Sequence, residues 1–307
     1  MFITSTCRST RPGSSSKLVL ICCTLVYGTL LGLPTGLVIS SSSQLLAQDA
    51  PQAAKVFAQR LVVPLPIVND VDSNVKRSVL AVLDRFQKEG GFRGEGARPI
   101  LVLEFRPREG TAGESSEFDR SYSLARFLTS DQLRQVRTVA YLPKSVQGHS
   151  LLPVLGCQQI IMAADAQLGA AGISDEHVDP GVRLVYEDFS NRRRVIKPAV
   201  VLGMLDRQLI VYQVTTPQGP RYVLADELEQ LKKEGLASEA KTIIPAGDLG
   251  LFTGKQLRLE FGFVSHLAAN EVELAEAFTK AFTKLVTKHL LRQVKYRLYI
   301  QQMKVLL

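Results

Sequence analysis

Gly148 to Ile173 reads GHSLLPVLGCQQIIMAADAQLGAAGI, and the reading of this stretch decides the fold. It follows an apolar strand, Thr138-Val139-Ala140-Tyr141-Leu142, and a polar loop, Pro143 to Gln147, which together deliver the chain to a helix N-terminus. Such a terminus points unpaired backbone N–H groups and the positive end of a dipole at whatever binds there, which stabilises a developing oxyanion. Placement alone therefore marks a catalytic position, and the question becomes which side chains accompany it.

Working outward, Arg60 to Val68 reads as an opening strand, with Pro64 and Pro66 suiting an edge or a bend. Asp70 to Lys88 is an amphipathic helix carrying Val71, Val75, Val79, Val82, Leu83 and Phe86 on one side, and Gly90-Gly91 ends it. Pro99 to Phe105 is a buried strand by its continuous apolar run, Arg106 to Ser116 a polar loop, Phe118 to Leu128 a helix and Val136 to Leu142 a strand. This β-α-β-α-β order predicts parallel strands joined by crossover helices. Beyond Gly172, helices are expected over Asp179 to Arg194 and Pro198 to Leu205, and a hairpin over Gln208 to Thr215 and Arg221 to Leu224. Further helices are expected over Asp226 to Glu234 and Glu271 to Leu291, the last turning basic, with Thr242 to Pro245 leading to Gly254 to Glu260 between them.

The run Leu101-Val102-Leu103-Glu104-Phe105-Arg106-Pro107, the strand Val139 to Leu142, and Ile160-Ile161-Met162-Ala163-Ala164-Asp165 followed by Gly169-Ala170-Ala171 resemble the ClpP/crotonase superfamily. Within it the match is to exported, membrane-associated NfeD-type and signal-peptide-peptidase-type serine proteases. Ile243 to Leu249, Thr253 to Leu257 and Phe261 to Val264 are similar to the closing element of that family, so the resemblance covers roughly Arg60 to Phe278. It implies an α/β fold, a ClpP/crotonase-like spiral of ββα units with mostly parallel strands and crossover helices. It also implies a helix that runs into the Ala163-Ala164-Asp165 segment, a serine nucleophile and a lysine base whose pKa burial lowers.

The chain departs from that pattern where the chemistry is done. Counting back from Ala163-Ala164-Asp165 puts the nucleophile at Leu155, with Gly156 and Cys157 in the small-residue slots; counting forward from Tyr141 puts it at Leu151. Ser150 stands one residue from the second count, either as the nucleophile in a shifted register or as a helix N-cap after Gly148-His149. No lysine lies between Lys144 and Lys197, and Lys197 beside Pro198 reads as part of a solvated basic loop. The family's Pro-Gly-Gly oxyanion loop corresponds to Pro107-Arg108-Glu109-Gly110, which leaves Gly110 and Gly156 as oxyanion-loop candidates. A triad of Ser150, His177 and Asp179, or a carboxylate pair of Glu114 and Glu117, can be written, but no spacing supports either. The reading is a serine-peptidase-family domain that is catalytically inactive and acts in binding or assembly; the alternative is an active peptidase using Ser150 on membrane-associated or envelope proteins.

At 46% apolar residues the chain can bury a substantial core. Three parts are expected: an export signal or N-terminal anchor over 1–48, a ClpP/crotonase-like domain over 49–279, and a basic amphipathic helix over 280–307. Arg8, Arg11 and Lys17 precede the uncharged apolar run Leu18 to Ile39, which suits a cleaved leader and is also long enough, at the roughly 20 residues a bilayer requires, for an anchor. The protein is accordingly expected in the periplasm or cell envelope. Cys7, Cys22 and Cys23 lie in the leader, so processing leaves Cys157 alone, read as buried packing. His149, His177, His266 and His289 are scattered, each read as a surface or loop histidine; neither a metal nor a cofactor is expected. The net charge of +8 comes from the leader and from Lys280, Lys284, Lys288, Arg292, Lys295, Arg297 and Lys304, leaving a near-neutral body, which argues against nucleic acid. Expected partners are a polypeptide or envelope protein and further copies of the chain, with the basic tail suited to a membrane surface or a docking partner.

Overall fold

In the computed structural model of the chain, residues 57–92 and 98–278 are described. The expected leader over 1–48 with its cysteines, and the tail over 280–307 with His289, lie outside them. The described elements run in chain order β1 (Ala58–Leu65), α1 (Val71–Lys88), β2 (Ile100–Pro107), α2 (Phe118–Leu128), β3 (Arg137–Leu142), β4 (Val146–Gln147), α3 (Leu151–Gly156), β5 (Gln159–Met162) and β6 (Gln167–Gly169). They continue as α4 (Pro180–Arg193), α5 (Pro198–Leu205), β7 (Val211–Thr216), β8 (Gly219–Leu224), α6 (Ala225–Lys233), β9 (Glu239–Ile244), β10 (Leu251–Thr253), α7 (Gly254–Leu259) and β11 (His266–Leu267). A helical stretch over 271–278 follows.

The central sheet is five-stranded in the order β1-β2-β3-β5-β11, with every pairing parallel. Strands covered on both faces need no polar alternation, which is why β2 reads as an unbroken apolar run up to Glu104. Leu101, Leu103 and Phe105 face inward at 0% exposure; Val102 and Glu104 face the other side with Val139, Tyr141 and Ile161. On the inner side α1 presents Val75, Val79, Val82 and Phe86 at helical spacing, and α2 presents Leu124, Ala125 and Leu128. A mixed sheet, β10-β6-β4, and an antiparallel sheet, β8-β7-β9, complete the described part. The architecture is mixed α/β with a mostly parallel central sheet and crossover helices.

The helix after β3 corrects the sequence reading. It is expected to run into Ala163-Ala164-Asp165, yet α3 stops at Gly156 and Gln159–Met162 is β5, paired to β3 from Val139↔Gln159 to Leu142↔Met162. Cys157 turns the chain extended at φ −78, ψ 158. Ile160 and Met162 then drop into the inner core while Ile161 joins the opposite face, a use of β-branched residues that a helix would not favour. The hairpin also differs: β7 and β8 turn over Pro217 and Gln218, because Thr216 and Gly219 already pair.

Candidate functional site

Two glycines and one serine meet at the mouth of α3. Gly148 opens the turn of 3-10 helix Gly148–Ser150 with φ +67, a conformation that costs glycine nothing. A Cβ there would stand 2.5 Å from the Glu114 carbonyl oxygen, so the loop after β2 lies directly on the helix start. Gly113, at φ +89, brings its own backbone close enough that a Cβ would sit 3.2 Å from Ser150 Oγ. The loop is held by Gln147 N–H donating to the Ala112 carbonyl at 2.8 Å and by Ser116 Oγ, which donates to the Gly113 carbonyl at 2.7 Å and accepts from Ile67 N–H at 3.0 Å.

Ser150 is therefore at the mouth but sealed. Its exposure is 0%, and its Oγ donates to the Gln147 carbonyl at 2.6 Å. Among the described residues no lysine or histidine nitrogen bonds to it. The N-cap alternative fails too, since Ser150 has αR geometry and accepts no backbone N–H of α3. Leu151 and Leu155 are buried at 0% and 1%, both within the inner core.

The oxyanion-loop candidates differ in their surroundings. Gly110 is a turn residue with φ +77, and no atom lies within 4 Å of a Cβ placed on it. Gly156 ends α3, packs on the backbone of α2 with a Cβ position 3.2 Å from the Ala125 carbonyl oxygen, and offers its own carbonyl to Arg193 Nε at 3.1 Å. Gly113 is the glycine that reaches Ser150, and its signal in the sequence is the second glycine of Gly110-Thr111-Ala112-Gly113.

The other combinations do not assemble. His177 is exposed in a small cleft of about 110 Å³ shared with Asp175, Glu176 and Leu205–Gln208. Asp179 caps α4, accepting from Gly181 N–H at 2.7 Å and Val182 N–H at 3.4 Å. Glu114 Oε2 accepts from Ala112 N–H at 2.9 Å, whereas Glu117 faces Arg120 at 3.7 Å, so they form no pair. Lys197 is exposed ahead of α5. Cys157 is fully buried, donates to the Pro153 carbonyl at 3.4 Å, and burial pushes its thiol up to about 12 despite Arg193 nearby.

His149 is the residue the sequence misread as a surface histidine. It is 8% exposed, with Nε2 3.3 Å from Asp175 Oδ2 and Nδ1 sharing a hydrogen bond with the Tyr186 hydroxyl at 3.1 Å, and its ring stands edge-on to Phe118. Burial lowers its pKa, with Asp175 pulling the other way. Burial, reinforced by Asp175, raises Tyr186 well above the usual phenol range, so that hydroxyl stays neutral. The cluster ties the helix mouth to the loop before α4 and to α4 itself.

A lysine–serine contact does exist elsewhere. Lys76 Nζ hydrogen-bonds to Ser123 Oγ between α1 and α2, but the same amine donates to buried Asp72 Oδ2 at 2.8 Å. Burial would raise the Asp72 carboxyl; hydrogen bonds from Lys76 and Ser123 outweigh it and hold the pKa low. The amine is shared between the Asp72 carboxylate on α1 and Ser123 on α2, so this contact fastens two helices.

No protein-family model matches the chain, and no curated protein is similar to it. Among solved structures it is similar to the membrane-bound stomatin-specific protease 1510-N, at 10% identity over 73% of this chain and 86% of that one, TM-score 0.44. The same protease in complex with a substrate peptide gives 11% identity over 73% and 81%, TM-score 0.43. An enoyl-CoA hydratase from Bacillus halodurans gives 12% identity over 76% and 79%, TM-score 0.38. Chemistry has to be read from this chain's own side chains.

Proposed function

We propose that this chain is a catalytically inactive domain on a ClpP/crotonase-type, protease-family scaffold, exported through residues 1–48 and acting by binding or assembly at the cell envelope. The observation that supports it is Ser150 Oγ, fully buried, committed to the Gln147 carbonyl, beside Gly113 and one turn from the Gly148–Glu114 contact. A serine nucleophile needs an exposed oxygen and a base within hydrogen-bond reach. His149, the nearest imidazole in sequence, spends both ring nitrogens on Asp175 and Tyr186. The partner is a polypeptide or envelope protein, with further copies of the chain as the assembly partner. Among the described residues no helix is long and apolar enough to cross a membrane, so membrane attachment in this proposal rests on the sequence of 1–48 and 280–307.

The second reading, a peptidase using Ser150, draws on the position of that serine at the mouth of α3 under a glycine-bearing loop. A fluorophosphonate serine probe on the purified chain separates the two. No labelling is expected; labelling that disappears in Ser150→Ala would establish the peptidase.

A further inference from the structure

Arg98, Arg137, Arg258 and His266 gather in one region of the central sheet without a carboxylate among them. Arg137 opens β3 and is partly buried; its Nη2 donates to Gln159 Oε1 at 2.5 Å. Gln159 Nε2 in turn donates to Ser265 Oγ at 2.5 Å, and that hydroxyl donates to the Ile160 carbonyl at 2.8 Å. His266 follows as the first residue of β11, its Nδ1 buried and without a hydrogen-bond partner. The parallel registers Val139↔Gln159 and Ile161↔His266 put Arg137, Gln159 and His266 on the same face of the sheet. Arg258 reaches in from α7, donating to the Val264 carbonyl at 3.3 Å, and exposed Arg98 lies ahead of β2, bonded to the Arg134 carbonyl and Gln158 Oε1 at 3.4 Å each.

Elsewhere Arg60, Arg106, Arg120, Arg183, Arg192 and Arg221 each stand against a carboxylate, whereas Arg193 bonds to carbonyl oxygens. Among the described residues none lies within ion-pair distance of Arg98, Arg137, Arg258 or His266. Their influence on one another is repulsive: burial and then Arg98 lower Arg137, while burial, Arg258 and Arg137 lower His266. Assembling like charges in partly desolvated positions is unfavourable, and an anion placed between them reverses the sign. Arg137, Gln159, Ser265 and His266 are all partly exposed, so solvent and a small ligand reach them.

We propose that Arg137, Arg258 and His266, with Gln159 and Ser265 between them, bind an oxyanion of the phosphate class. A guanidinium fork matches two phosphate oxygens, the second N–H of the Gln159 amide is a neutral donor, and an anion beside His266 favours the protonated ring. The site lies on the side chains of β3, β5, β11 and α7, so it stands whether or not Ser150 acts.

Isothermal titration of the full chain with inorganic phosphate and, separately, with phenyl phosphate tests it, in a buffer of constant ionic strength. Saturable binding of at least one of them is expected, weakened about 10-fold or more in Arg137→Gln. Tighter binding of phenyl phosphate assigns a phosphate ester as the ligand, and equal affinity assigns the free ion. Arg258→Gln, at an exposed position, gives the same loss without disturbing the core, and Arg221→Gln, paired to Glu227 elsewhere, leaves binding intact. No saturable heat with either probe, or a loss in Arg221→Gln equal to that in Arg137→Gln and Arg258→Gln, would overturn the site.

Discussion

Replacing Gly148 by alanine tests whether the loop after β2 is seated on the helix mouth. Two costs add at this position. An alanine at φ +67 carries the left-handed penalty of about 1–2 kcal/mol. Its Cβ also falls 2.5 Å from the Glu114 carbonyl oxygen and 2.9 Å from the Glu114 Cα, contacts that only a backbone displacement relieves, at about 1–3 kcal/mol. The helix start has little room to withdraw, because Gly148 N–H donates to the Ala170 carbonyl at 3.1 Å on its other side. Gly110→Ala supplies the control, since φ is +77 there and nothing lies within 4 Å of the new methyl. Urea unfolding of both variants is expected to show Gly110→Ala losing only the conformational part and Gly148→Ala losing about 1–3 kcal/mol beyond it. If the two cost the same, the Glu114 backbone does not close the mouth of α3, and the case for a sealed Ser150 loses its roof.

Two further outcomes follow from buried titratable groups. His149 and His266 both have lowered folded-state pKa values, so the unfolded chain binds their protons first as pH falls; stability is full above about 6.5, the ordinary histidine value, and declines below it until the folded pKa is passed. Urea midpoints at pH 7.5 and 5.5 check this, with a smaller decline expected in His149→Gln; a midpoint that rises on acidification over that interval would contradict the burial argument. Cys157, fully buried with its thiol near 12, is expected to resist a thiol-specific disulfide reagent in the folded chain and to react once unfolded in urea; rapid native labelling would show that the α2–α3 packing opens.

The parallel α/β layout was legible because it rests on local pattern. The 18 residues of α1 carry a periodic apolar stripe, and α2 and α5 fall within the limits their sequences set. Gln159–Met162 was not legible for the reason short apolar runs rarely are: a buried strand of this length and a buried helix segment have the same composition, and what decides is the slot between β3 and β11, contributed by residues far along the chain. The rest of the site depends on contacts between distant loops. Glu114 against Gly148, and His149 between Asp175 and Tyr186, join positions whose separation leaves no trace in spacing, so Gly113 passed unnoticed and a core histidine looked like a surface one.

The place of β11 has a consequence for how the protein comes to be folded. Its two residues, His266 and Leu267, cover the outer edge of β5, although β5 was synthesised long before them. Until translation reaches Leu267, the backbone of Ile161 and Met162 presents unpaired amides and carbonyls on that side, a template for another chain. A nascent or truncated polypeptide that stops short of this strand is thus a species prone to pair with its neighbours, and capping that border is left to one of the last segments of the domain.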